Sequence, residues 1–146
     1  MVLAVMLCAL APPAQAHHSH PYNYDWCRSI TIEGRIERAE FKDPHSMLVL
    51  RLDDGTAYTV DWAPLRRLTT LGIIDSARVA LVPGARVTAT GYLIRTAAEI
   101  RAKFPDFKAE VNPNTIDPRS IRRVDESFNW ALSQGTEMTP TNCGQK

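Results

Sequence analysis

The fold is decided by residues 30–62, which read ITIEGRIERAEFKDPHSMLVLRLDDGTAYTVDW. Apolar residues alternate with polar ones at the start of this stretch: Ile30, Ile32 and Ile36. An alternation with a period of two is typical of a half-buried strand. The apolar phase then shifts, beyond Gly34, to Ala39 and Phe41. We therefore expect one long strand that bends or bulges.

Two more strands are predicted in the same stretch. The apolar positions of the first are Leu48, Leu50 and Leu52, and those of the second are Tyr58, Val60 and Trp62. Between them, Asp53-Asp54-Gly55 is typical of a tight hairpin, because glycine tolerates the positive φ that such turns need. Residues 30–62 therefore predict a three-stranded antiparallel meander.

The flanking sequence completes a small β fold. A short helix is predicted to start near Pro64 and end at Gly72, followed by a turn of helix at 75–79. A fourth strand is predicted at 87–93 and a helix at 95–103. An irregular loop at 105–118 and a closing strand at 120–124 complete the pattern. One long, bent strand followed by four short ones favours a small closed antiparallel barrel of the OB type with one or two short helices. A mixed α+β sandwich is the alternative.

The N-terminus has the features of a secretory signal. Residues 1–11 are uncharged and apolar, which fits a signal h-region but is too short to span a bilayer permanently. Pro12 and Pro13 follow, and Ala14-Gln15-Ala16 matches the A-x-A cleavage pattern. We expect export to the periplasm or beyond, with a mature protein that begins at His17. No Lys or Arg precedes the apolar run, which leaves the position of the start codon open.

The expected organisation is one domain with short flanking segments: signal peptide 1–16, His-rich segment 17–28, OB-like domain 29–133 and loose polar tail 134–146. After the signal, no stretch is apolar enough to cross a membrane. The formal net charge of +1, with mixed signs, argues against a nucleic-acid partner, which would need a basic excess.

Two cysteines remain after processing, Cys27 and Cys143. Paired thiols oxidise to disulfides in exported proteins, so we expect a bridge between the two ends of the domain. A mixed Cys and His metal site is the weaker alternative, because neither cysteine has a CxxC or CxH spacing.

The chain's four histidines are the candidate metal ligands: His17, His18, His20 and His45. His17 would offer a free α-amine beside its imidazole after cleavage, and these two nitrogens can chelate one ion. Nitrogen ligands favour copper, with zinc or nickel as alternatives. His45 lies in the loop expected between the first two strands, and loops of this kind border the binding face of OB barrels. A solvated, non-binding leader is the alternative.

Several short motifs resemble a family of small exported bacterial proteins known only as a domain of unknown function, of the DUF6152 type. Members carry HHS at the mature start, T-x-E-G, N-P-H-S and P-G-D-x-V-x-V-x-G. The positions that match here are His17, His18, Ser19, Gly34, Pro44, His45, Ser46 and Gly91. Asp43 replaces the usual Asn, Met47 replaces a bulky aromatic residue, and residues 96–118 form an insertion. The cysteine pair is not part of this pattern.

The resemblance implies export and a small β-rich fold, and it implies no activity. Two functions remain open. The first is metal binding through the histidine cluster and His45. The second is a metal-free module that binds a protein or a small ligand. No Ser-His-Asp or paired-carboxylate spacing is readable, so the sequence gives no reason to assign an enzyme.

Overall fold

A computed structural model describes residues 20–132 and Cys143. Its elements are α1 (His20–Asn23), β1 (Tyr24–Glu40), β2 (Ser46–Arg51), β3 (Ala57–Trp62), α2 (Leu65–Thr70), α3 (Ile74–Ala80), β4 (Arg86–Ile94), α4 (Ala97–Lys103), β5 (Thr115–Arg123) and β6 (Asn129–Ala131). The predicted meander is β1–β3, joined by the predicted turn at residues 53–55.

Five strands close into a ring. The long β1 pairs with β2 through its second half and with β4 through its first half, and β4 continues to β5. A short parallel pairing, Thr59 with Thr115 and Val60 with Ile116, joins β3 to β5 and completes the circuit. The order β1-β2-β3-β5-β4-β1 is that of an OB-type barrel, which confirms the predicted fold class.

β1 bends as its phase shift predicted. Its pairing with β2 changes register between Ile36 and Arg38, a bulge that lets one strand serve both halves of the ring. Two glycines allow close backbone approach. A Cβ on Gly34 would lie 2.7 Å from the Arg51 carbonyl oxygen, and one on Gly91 would lie 2.9 Å from the Asp117 carbonyl carbon. The barrel wall therefore requires glycine at both positions.

The barrel interior is one apolar core. Most of the apolar positions that the alternation predicts in β1 to β4 are buried: Ile32, Ile36, Leu48, Leu50, Val60, Trp62, Val87 and Ala89. The others are partly buried against this core: Ile30, Ala39, Phe41, Leu52, Tyr58 and Leu93. Leu68 of α2 and Ala77 of α3 are fully buried against this core, so the two helices between β3 and β4 cover one end of the barrel. α4 begins with a capping box in which Thr96 and Glu99 bond each other's backbone N–H groups.

The C-terminal third differs most from the prediction. Strand β5 begins at Thr115, inside the stretch expected to be an irregular loop, and includes Pro118. The short β6 extends the sheet beyond the ring, and the described residues contain four helices rather than one or two.

The predicted disulfide between Cys27 and Cys143 is formed, with 5.4 Å between the two Cα atoms and a sequence separation of 116. It ties residue 143 to the first half of β1. In residues 20–132, no helix is long and apolar enough to cross a membrane.

Candidate ligand-binding site

His45 lies in the loop between β1 and β2, where the sequence predicted it. The loop is held at both ends. The backbone N–H of Leu65 donates to the Lys42 carbonyl, and Ser46, which is buried, pairs with Trp62 of β3. The Asp43–Pro44 peptide bond is cis. These contacts place His45 beside the end of β3.

Asp61 of β3 connects His45 to the start of the barrel. His45 Nδ1 lies 2.8 Å from Asp61 Oδ1, and the Tyr24 hydroxyl donates to Asp61 Oδ2 at 2.6 Å. The His45 side chain is 40% exposed and that of Asp61 is 20% exposed, whereas Tyr24 is 2% exposed. One carboxylate therefore links a buried phenol to an imidazole at the surface.

This network fixes the form of both partners. A carboxylate only accepts hydrogen bonds, so Nδ1 of His45 carries the proton, and in the neutral ring Nε2 carries the lone pair. Burial is the main cause that raises the pKa of Tyr24, and the negative charge and hydrogen bond of Asp61 raise it further. Tyr24 thus remains a donor and holds the carboxylate in place.

The other predicted ligands are not described alongside His45. His17 and His18 lie outside the described residues, and the side chain of His20, at the start of α1, is also outside them. Within residues 20–132 and 143, no three His, Cys, Asp or Glu side chains come together as a metal site. The first strand of the barrel nevertheless begins at Tyr24, whose hydroxyl bonds to the same carboxylate as His45, that of Asp61.

An open cleft of about 810 Å³ lies beside His45. We call it the β3–β5 cleft, because it forms where these strands part after their two-residue pairing. Its lining comes from the β1–β2 loop, the end of β3 with α2, the start of β5, and β6: Asp43, Pro44, His45, Trp62, Ala63, Pro64, Arg66, Arg67, Leu71, Asp117, Pro118, Arg119, Trp130 and Leu132.

Aromatic rings form the apolar floor of this cleft. Trp130 of β6 is half-buried and meets the buried Trp62 at a centroid distance of 5.0 Å. Trp62 also contacts Phe41 and Phe128 edge-to-face. The indole N–H of Trp62 is buried and has no hydrogen-bond partner in the described part of the chain.

Sequence reasoning found His45 but missed its partners. Asp61 lies between the apolar positions Val60 and Trp62 of β3, so the alternation places it on the outer face, where a solvated side chain is expected. Tyr24 precedes the predicted start of β1. The cleft residues come from distant segments, and the sequence signal for its charge is the adjacent pair Arg66-Arg67.

Strand order and site together define a small OB-type barrel protein with an oriented histidine beside an open cleft. The chain belongs to the family of unknown function DUF6152, which matches residues 5–100. The matched segment includes Gly34, His45 and Gly91, the positions that the sequence motifs singled out. β5 and β6, which supply one wall of the cleft, lie beyond it.

Comparisons with characterised proteins add little to this assignment. No curated protein matches the chain. Among solved structures, a chain of the S. pombe Stn1–Ten1 complex is similar at 17% identity and a TM-score of 0.45, over 72% of this chain and 68% of that one. Similarity at this level transfers neither fold nor function, so the barrel assignment rests on the strand order.

Proposed function

We propose that the protein is exported and that its processed form binds one transition-metal ion, with copper favoured over zinc or nickel. The ligands are the α-amine and imidazole of His17 together with Nε2 of His45, and His18 and His20 are the neighbouring candidates. The observation that carries the proposal is the hydrogen bond from His45 Nδ1 to Asp61.

A carboxylate behind a histidine is the usual support for a metal ligand. It fixes the tautomer, orients the ring and makes the opposite nitrogen more basic. Asp61 is itself held by the Tyr24 hydroxyl at 2.6 Å, so the imidazole is oriented before any metal arrives. Partial exposure of His45 leaves this side chain at the surface, where a ligand from another segment has access.

The N-terminal histidines are within reach of this position. His17 precedes Tyr24 by seven residues, and four of them, His20–Asn23, form α1, so this stretch spans at most about 17 Å. Tyr24 and His45 bind the same carboxylate, so this length is counted from a residue whose side chain already contacts the proposed site. The disulfide at Cys27 fixes β1 three residues further along the chain.

The test is a competitive Cu(II) titration of protein that begins at His17. Three variants are compared with it: one extra glycine before His17, His45→Ala and Asp61→Asn. The extra residue keeps every imidazole but moves the α-amine. We expect each of the first two changes to weaken Cu(II) binding at least tenfold, and Asp61→Asn to weaken it about 10- to 100-fold.

His18→Ala is the discriminating variant, because it removes a neighbouring candidate imidazole and leaves the proposed ligands His17 and His45 in place. If the His-rich segment binds copper as a flexible tail, His45→Ala and Asp61→Asn change nothing and His18→Ala matters most. That pattern would reject the proposal. Export is tested separately by the intact mass of the secreted protein, which should begin at His17. Retention of residues 1–16 would contradict it.

The second candidate function is a metal-free binding module. The observation that favours it is the β3–β5 cleft, whose volume of about 810 Å³ lies in the range of small-molecule sites. This function does not require the N-terminal histidines, so the titration above separates the two candidates.

A further inference from the structure

The β3–β5 cleft is built into the barrel rather than left by a loop. β3 and β5 pair only at Thr59–Thr115 and Val60–Ile116, and beyond that point their backbones separate. β6 pairs with β5 from Ser120 onward and so forms the far wall. The walls are therefore formed by strands and the short helix α2, together with the β1–β2 loop that carries His45.

The cleft is lined by three arginines and two carboxylates, so its formal charge is positive. Arg66, Arg67 and Arg119 line it, and within the described residues none of the three forms an ion pair with a carboxylate. The Arg119 guanidinium lies 5.5 Å from the Tyr92 ring centroid. Guanidinium groups recognise carboxylates and phosphates through paired N–H donors.

The two carboxylates of the lining are engaged with the protein itself. Asp43 Oδ1 accepts from the backbone N–H of Arg66 at 3.4 Å. Asp117 is half-buried, and its negative charge contributes to the raised pKa of Tyr24. An anion in the cleft would therefore meet three arginine side chains without displacing an existing ion pair.

Most of the remaining lining is apolar. Trp130 and Leu132 of the β6 segment, Leu71 after α2, and Pro44 and Pro64 supply it. A half-buried indole beside guanidinium groups suits a planar ring, because the ring gains contact area on the indole while its acidic group reaches the cations.

We infer that the β3–β5 cleft binds a small organic anion, a carboxylate or phosphate ester on a planar apolar body, with Arg66, Arg67 and Arg119 as the anion-binding residues and Trp130 as the stacking surface. This inference rests on the second candidate function, the binding module. It needs no metal at His45. It specifies the ligand's chemistry, which the cleft's size alone does not.

The experiment uses three matched probes on the full mature protein in the presence of EDTA: 2-naphthoate, 2-naphthyl phosphate and the neutral 2-naphthalenemethanol. Binding is measured by calorimetry, and the ¹H–¹⁵N shift of the Trp130 indole reports where the probe lies. We expect both anions to bind at least tenfold more tightly than the neutral probe and to shift the Trp130 signal. The stronger of the two anions identifies the acidic group.

Arginine variants test the assigned residues. Arg66→Gln, Arg67→Gln and Arg119→Gln should each weaken anion binding threefold or more and leave the neutral probe unchanged. Arg78→Gln, an exposed arginine of α3 away from the cleft, is the control and should change neither.

Two results overturn the inference in distinguishable ways. If all three probes shift Trp130 and bind with equal affinity, the cleft is a binding site and the anionic ligand is wrong. If no probe shifts Trp130, the binding module fails together with the inference. The comparison of probes on the unaltered protein stands even if an arginine variant does not fold.

Discussion

The bond between Tyr24 and Asp61 should stabilise the fold, and Tyr24→Phe removes it with the least other change. The hydroxyl donates at 2.6 Å to a carboxylate, and Tyr24 is 2% exposed. A hydrogen bond to a charged group contributes about 1.5 to 3 kcal/mol. We expect the free energy of unfolding of Tyr24→Phe to be lower by this amount at pH 7, measured by guanidinium unfolding with circular dichroism.

The same bond gives the stability a definite pH dependence. The folded-state pKa of Tyr24 is raised, mainly by burial, above the ordinary value of about 10. Its contribution is therefore complete below pH 10 and is lost as the pH rises, because the unfolded chain then releases a proton that the folded chain keeps. One proton gives a slope of about 1.4 kcal/mol per pH unit. The difference between wild type and Tyr24→Phe should shrink at that rate above pH 10.

Tyr22→Phe is the control, since Tyr22 is 49% exposed and near Tyr24 in sequence. It should change stability at pH 7 by less than about 0.5 kcal/mol. Equal stability of Tyr24→Phe and wild type at pH 7, or a constant difference between them from pH 9 to 11, would refute the account of this bond.

Three further predictions concern stability. Cys27→Ser removes a disulfide with a sequence separation of 116 and should lower the free energy of unfolding by about 2 to 5 kcal/mol. A denaturant midpoint of the wild-type protein that is the same with and without a reducing agent would contradict this. Gly91→Ala places a Cβ 2.9 Å from the Asp117 carbonyl carbon, so we expect a loss of about 1 to 3 kcal/mol, whereas Gly55→Ala, at a turn with open space, should show only the strain of its positive φ. Leu50→Ala empties a fully buried position and should cost about 2 to 5 kcal/mol by denaturant unfolding; a loss below about 1 kcal/mol would contradict the core assignment.

The first three strands could be predicted because each is specified locally. Alternation set the inward faces of β1 to β3, and Asp53-Asp54-Gly55 marked the turn between β2 and β3. The helix after Pro64 was likewise marked at both ends, and α2 occupies Leu65–Thr70. Burial and turn geometry in these segments depend on neighbours in sequence, so one chain is enough to recognise them.

β5 and the site depend on distant partners and gave weaker signals. Pro118 argued for a loop, yet it lies opposite Gly91, where β4 and β5 shift register and a ladder hydrogen bond is dispensable. The Asp61 carboxylate contacts a histidine 16 residues away and a tyrosine 37 residues away. Only the closed barrel brings these segments together, and no local pattern encodes these particular contacts.

The most direct test of the proposed function is a crystal structure of the protein that begins at His17, loaded with Cu(II). The account predicts copper about 2.0 Å from His45 Nε2, with the His17 amine and imidazole as further ligands and with His45 Nδ1 still bonded to Asp61. Copper held by residues 17–20 alone, with no bond to His45, would contradict it.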